Sequence, residues 1–308
     1  MNSSALTPDL IRSYAPDPDL YRSDAVPNWL DEVDLSVTDA HARMGTRSLR
    51  EEQWLTYDSL ARSEIALRRR LLLEQRQHVF ACTPFADGPA QEVADLVGEW
   101  HSAYRPHDVA LPDADEGHPL ARVGSSIQED LCVMVHHDGA WRLEGAMLCF
   151  PSLWILQEKV GLPTALVHAP VPFYAEELSQ KVDRLFGRMT AEKMIWRRNV
   201  SVWPALILWA PCHTLDPSLI AVPPSDAATP PLWIRSERQT LRRLPETGAI
   251  LFTIRVQTVP VAVLAHEPSR ARDFAAWFRA PIGAVRRGQL GSHLDGLLTW
   301  LDRVGARD

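Results

Sequence analysis

The chain has 308 residues, room for one large domain or two modest ones, and its 46% hydrophobic and 23% charged composition is that of a globular protein with a core. A net charge of −7 excludes the Lys/Arg excess that a nucleic-acid surface needs. No run approaches the roughly 20 apolar residues of a membrane helix, and Met1-Asn2-Ser3-Ser4 lacks the charged-then-apolar pattern of a signal peptide, so a cytoplasmic protein is expected.

The first forty residues, rich in Pro, Asp and Ser, read as an extended arm. From Ser48 to Arg76 the apolar spacing predicts a helix, with acid near its start and base near its end to suit the helix dipole. A second helix is expected over Ala90–Tyr104. The period then shortens. Ile127–Val135 and Trp141–Cys149 read as strands joined through Asp138-Gly139, a hairpin turn signal. Leu178–Met189 has helical spacing, and Val200–Ala210 and Ile250–Val259 have the β-branched and aromatic content of strands. Ala221–Pro231 reads as a Pro/Ala/Asp loop. Two amphipathic helices close the chain, over Ser269–Arg279 and Gly291–Val304. Strands bunched together with hairpin links predict an α+β fold: an antiparallel sheet with flanking helices rather than a doubly wound nucleotide fold. The expected divisions are an arm over 1–40, a main domain over 41–265 and a C-terminal helical segment over 266–308 packed on it.

Several constellations carry chemistry. His168 opens Ala169-Pro170-Val171-Pro172-Phe173-Tyr174, where two prolines hold the following chain extended and give the imidazole a fixed direction. A metal ligand needs that, together with an acceptor for its other nitrogen. A core histidine bonded to a carbonyl satisfies the same pattern, and the residues alone favour it. Arg197-Arg198-Asn199 cannot send both guanidinium groups into a core, so one meets solvent or an anion; an internal carboxylate serves as well as a ligand. Ser236–Gly248 is the densest polar stretch, where Arg238 offers bidentate binding and Gln239 or Thr240 can donate to a bound oxygen species. A solvated loop or helix end fits it equally. Gln128-Glu129-Asp130 could supply an acid, although a strand-edge cap explains it better, and His136-His137 falls in the expected turn. Cys149 could be a thiolate ligand or a buried inert thiol. The four cysteines are scattered without a Cys-x-x-Cys pair, so any iron–sulfur chemistry has to come from a partner. Eleven tryptophans fill a core or wall a large flat ligand. Serine-hydrolase, phosphate-loop, dinucleotide and zincin motifs are absent from the sequence.

Three blocks taken in order resemble one family. Cys149-Phe150-Pro151-Ser152 with Trp154 and Lys159-Val160-Gly161 is similar to its Phe-Pro-Ser-x-Trp block. Val167-His168-Ala169-Pro170-Val171-Pro172 is similar to its His-x-Pro-Val-Pro block. Glu237-Arg238-Gln239-Thr240-Leu241, with Arg243-Leu244-Pro245 and Thr247-Gly248, is similar to its Glu-Arg-Gln-Thr-Leu block. The family is the haem-dependent oxidative N-demethylase-like family, formerly of unknown function, and the likeness spans most of residues 40–260.

The resemblance implies a PAS-like antiparallel sheet enclosing haem b. It also implies O2-dependent, monooxygenase-type removal of a methyl group from a small amine as formaldehyde. Electrons would come from NAD(P)H through a separate flavin/iron–sulfur reductase, and the chain could be a homo-oligomer. On that pattern His168 is the iron ligand, with Cys149 the alternative. Arg197, Arg198, Asn199, Arg238 and Tyr174 line the cofactor, and Arg238, Gln239 and Thr240 stand near bound oxygen. An aromatic residue usually follows the asparagine of the Arg-x-Asn pattern; Val200 stands there, so substrate choice is expected to differ. A non-catalytic haem-binding sensor or carrier uses the same features, and a haem-free scaffold could keep the fold.

Overall fold

A computed structural model describes residues 6–36, 45–105, 117–167, 179–220, 229–280, 290–291 and 293–307. The fold is mixed α+β. Seven strands form one antiparallel sheet: β1 (Arg47–Leu49), β2 (Phe80–Cys82), β3 (Glu129–His137), β4 (Ala140–Met147), β5 (Met194–Trp203), β6 (Trp233–Arg243) and β7 (Ile250–Pro260). Their spatial order is β1-β5-β6-β7-β3-β4-β2.

The β3–β4 hairpin turns at Asp138 and Gly139, whose φ values of 49° and 74° are the left-handed pair that a two-residue turn requires. A register shift between Val133 and Met134 bends this hairpin. β6 and β7 are joined across Pro245–Gly248, where Glu92 accepts from the Glu246 and Thr247 N–H groups and from the Thr247 hydroxyl. The turn is thereby pinned to the Asp87–Tyr104 helix.

Three expectations shift. The helix expected from Ser48 starts at Ala61 and runs to Glu74. Arg47–Leu49 pairs as an edge strand instead, Trp54 and Leu55 are consumed by the core, and Asp58 closes a turn ahead of the helix by accepting from the Leu60 N–H. The strand expected over Val200–Ala210 is β5, displaced toward the N-terminus. The polar Ser236–Arg243 stretch, which spacing leaves open between loop, helix end and ligand site, is the body of β6, next to the central strand β7. Both faces of β6 carry polar side chains, so no apolar alternation marks it as a strand.

The sheet has two covered faces. Cross-strand partners share a face, so Arg197, Asn199, Glu237, Gln239, Leu241 and Phe252 lie together on one side. Phe150, Leu208 and Trp209 belong to the larger core, which the Ser179–Arg188 helix joins through Phe186. On the other side, Val200, Val202, Ile234 and Val259 form a second core with the Pro268–Arg279 and His293–Gly305 helices. Leu30 of the N-terminal arm is buried in the same cluster. Among the described residues no helix is long and apolar enough to cross a membrane.

Candidate functional site

An inner strand of a covered sheet should be buried on both sides. β6 is not. Along one face, Glu237, Gln239, Leu241 and Arg243 are only half-buried, as are Arg197 and Asn199 of β5 and Phe252 of β7. This open patch is a polar row on an apolar floor, and it is the candidate site.

Glu237 is its centre. Its carboxylate accepts from the Ser152 hydroxyl, from Asn199 Nδ2 at 2.9 Å and from Gln239 Nε2 at 2.9 Å. Asn199 reciprocates through Oδ1, which accepts from the Glu237 backbone N–H at 3.0 Å. Burial opposes ionisation of Glu237, but the Ser152 hydroxyl, the Arg235 charge and the two amides outweigh it and hold the carboxyl below its ordinary value. Glu237 therefore carries a negative charge whose direct hydrogen-bond donors are neutral, with the Arg235 guanidinium one hydroxyl away.

The block containing Phe150 meets the block containing Glu237 here. Arg235 donates to the Phe150 carbonyl at 2.8 Å, to the Ile207 carbonyl at 3.0 Å and to Ser152 Oγ at 3.1 Å. Its guanidinium also lies over the Trp203 ring. Burial pulls its pKa down to about 10, so it stays protonated at neutral pH. Asp130 anchors the same loop from β3, accepting from the Cys149 and Phe150 N–H groups and pairing with buried Arg68 at 2.7 Å. Leu153 follows Ser152 with φ of 63°, a conformation that a bulky side chain seldom adopts, and it turns the chain immediately after the serine.

The structure divides the expected trio Arg238, Gln239 and Thr240. Strand alternation puts Gln239 on the open face and the other two behind it. Arg238 donates to the Gln53 and Trp54 carbonyls, and Thr240 pairs with the Thr253 hydroxyl at 2.6 Å, both buried. The same rule separates Arg197 from Arg198. Arg198 points to the covered side, where its 2% exposed side chain bonds Glu32, Ser236 and Gln257 and lies over Trp29. Arg197 and Asn199 stay with Glu237. Cys149 is fully buried, and burial raises its thiol to about 12, away from the thiolate that an iron ligand needs. His168 and Tyr174 lie outside the described residues.

Sequence reading missed Glu237, Ser152, Arg235 and Arg243 as site residues. The usable signal was positional: with 233–243 taken as a strand, Arg235, Glu237, Gln239 and Arg243 fall on one face. Gln128 precedes β3, and Glu129 and Asp130 are its first paired residues rather than a strand-edge cap; all three are buried and bonded within the chain. Gln128 bonds Asp58 and Glu64, Glu129 accepts from Thr56, and Asp130 holds the Phe150 loop.

Among curated proteins, none matches the chain. A family model described as haem-dependent oxidative N-demethylase, alpha subunit-like, matches residues 98–280, more than half of the 308 residues and all of β3 to β7. The chain belongs to this haem-dependent oxidative N-demethylase, alpha subunit-like family.

Proposed function

We propose that the chain is the haem-binding catalytic subunit of an oxidative N-demethylase acting on a small methylated amine. The observation that carries this is the ionised, half-buried Glu237 carboxylate on the open sheet face. A cationic amine is the ligand that such a group attracts, and partial desolvation strengthens the pairing. A diatomic-gas sensor has no use for a fixed negative charge there, which favours the enzyme over the sensor.

The described residues fit haem. Leu241 and Phe252 supply an apolar floor on the open face, and Arg243 supplies a cation for a carboxylate. On the family resemblance His168 would hold the iron, and the sheet is read as PAS-like. Bound haem would supply O2 activation and the oxidising equivalents. One methyl group leaves as formaldehyde; O2, two electrons and two protons yield the demethylated amine and water. The electrons are assigned to NAD(P)H through a separate flavin/iron–sulfur reductase.

The protein's part is binding and orientation. Glu237 fixes the ammonium group, and Asn199 and Gln239 fix Glu237. A carboxyl held this low is a weak base, so its role is to anchor the cation rather than to remove a proton in the slow step.

The test is formaldehyde release from a panel of methylated amines by haem-reconstituted protein with O2 and a surrogate reductant. Wild type is expected to turn over secondary or tertiary methylamines. Glu237→Gln is expected to raise KM by about tenfold or more, the scale of one lost charge-assisted contact, with an unchanged Soret band. Absence of a Soret band in reconstituted wild type, or a Glu237→Gln variant with wild-type KM, would overturn the reading.

A further inference from the structure

The open face ends in a cleft that the amine site does not use. It measures about 360 Å³ and is lined by His136, Trp141, Gly187, Arg243, Thr247 and Gly248. We propose that this cleft is a carboxylate site with Arg243 as its anchor, and that the carboxylate is a haem propionate. The proposal rests on the haem-binding reading above.

Every other arginine of β6 is committed. Arg235 holds three oxygens of the Phe150 loop and its neighbours, Arg238 holds two carbonyls, and Arg242 pairs with Glu51 at 2.7 Å. Arg243 differs. It donates once, from Nη1 to the Phe186 carbonyl at 3.2 Å, and its guanidinium stands 5.9 Å from the Trp141 ring centroid. Among the described residues no carboxylate pairs with it. A guanidinium has five N–H donors in a planar fork that matches a carboxylate. A half-buried arginine with one carbonyl partner, facing a cleft, has most of that fork available.

The backbone keeps the space open. Gly248 has φ of 72°, and a Cβ there would stand 3.2 Å from Arg243 Nη2. Any larger residue would press on the guanidinium. Along β6, Glu237 and Arg243 are six residues apart, roughly 20 Å at about 3.3 Å per residue, with Leu241 between them on the same face and Phe252 beside it. One end of the face is anionic and the other cationic; between them Gln239 lies next to Glu237, and the apolar pair Leu241 and Phe252 lies next to Arg243. A flat apolar ligand with carboxylates on one edge would set them at Arg243 and lay its apolar body against Leu241 and Phe252.

The experiment uses the full chain freed of haem and titrated with haem, with haem dimethyl ester and with metal-free protoporphyrin. Binding is followed by the porphyrin absorption band and by quenching of tryptophan fluorescence. Wild type is expected to prefer haem to its ester by about tenfold or more, and to bind protoporphyrin through the same carboxylates. Arg243→Gln should lose the preference, Arg243→Lys should keep part of it, and all should share one thermal unfolding profile. Equal affinity of wild type for haem and ester, or a preference retained by Arg243→Gln, overturns this inference and leaves haem binding standing. If wild type binds neither haem nor ester, the haem reading falls and this inference with it.

Discussion

The Ser152 hydroxyl donates to the Glu237 carboxylate while its oxygen accepts from Arg235 Nε at 3.1 Å. One hydroxyl has one proton and two lone pairs, so a single side chain ties the Phe150 loop to the sheet and passes the Arg235 charge on to Glu237. Ser152→Ala leaves both groups short of a partner. The expected cost is about 1.5–3 kcal/mol, the range for hydrogen bonds to charged groups, read from the urea midpoint. The Glu237 carboxyl should also titrate higher, as seen by NMR of labelled glutamate side chains.

Glu237 sets an acid limb. Its folded-state value lies below the unfolded one, so its contribution to stability is present above the unfolded value, about 4.3, and is lost as pH falls through the folded value. The stability of Glu237→Gln should therefore fall less steeply on acidification than that of wild type. Parallel slopes in denaturant titrations from pH 6 to pH 3 would show that the carboxylate is not held ionised.

Glu129 has the opposite sign. It is fully buried, its Oε1 accepts from the Thr56 N–H and hydroxyl, and Oε2 has no hydrogen-bond partner among the described residues. Burial raises its pKa against the pull of Arg255. A raised carboxyl favours the folded state below its unfolded value and loses that advantage as pH rises through the folded value. A neutral amide of the same shape reproduces the protonated form, so Glu129→Gln should match wild type near pH 4 and be the more stable of the two at pH 8. Thermal melts across that interval measure the crossover.

Asp130 is the costliest single position here. It pairs with Arg68, whose side chain is 0% exposed, and holds the Cys149 and Phe150 N–H groups at 2.7 and 3.0 Å. Asp130→Asn leaves a buried guanidinium without its counter-charge, a loss of about 3–5 kcal/mol. Arg68→Met together with Asp130→Asn should cost less than the sum of the two single changes in a double-mutant cycle.

Gly248→Ala forces a side chain into the left-handed region at φ of 72° and toward Arg243. The backbone term alone is about 1–2 kcal/mol. A lower melting temperature is expected, with a weaker preference for haem over its ester. An unchanged preference would show that the guanidinium accommodates the new methyl group.

Local chemistry is legible along the chain. The Asp138-Gly139 hairpin, the Ser179–Arg188 helix within the expected 178–189 and the Pro268–Arg279 helix stand where spacing and turn residues put them, because turn geometry and helical periodicity are local. The ordered blocks around Phe150, His168 and Glu237 were enough to indicate the family. Which face each polar residue occupies is set by long-range contacts. Arg197 and Arg198 look equivalent in sequence, as do Arg238 and Gln239, yet strand alternation sends one of each pair into a carbonyl or carboxylate cage and leaves the other on the open face. The partners that decide this, Glu32 for Arg198 and Gln53 for Arg238, are 166 and 185 residues away along the chain. No local pattern records a contact of that range. The fork left open at Arg243 likewise becomes visible only when every other arginine on its strand is seen to be spent.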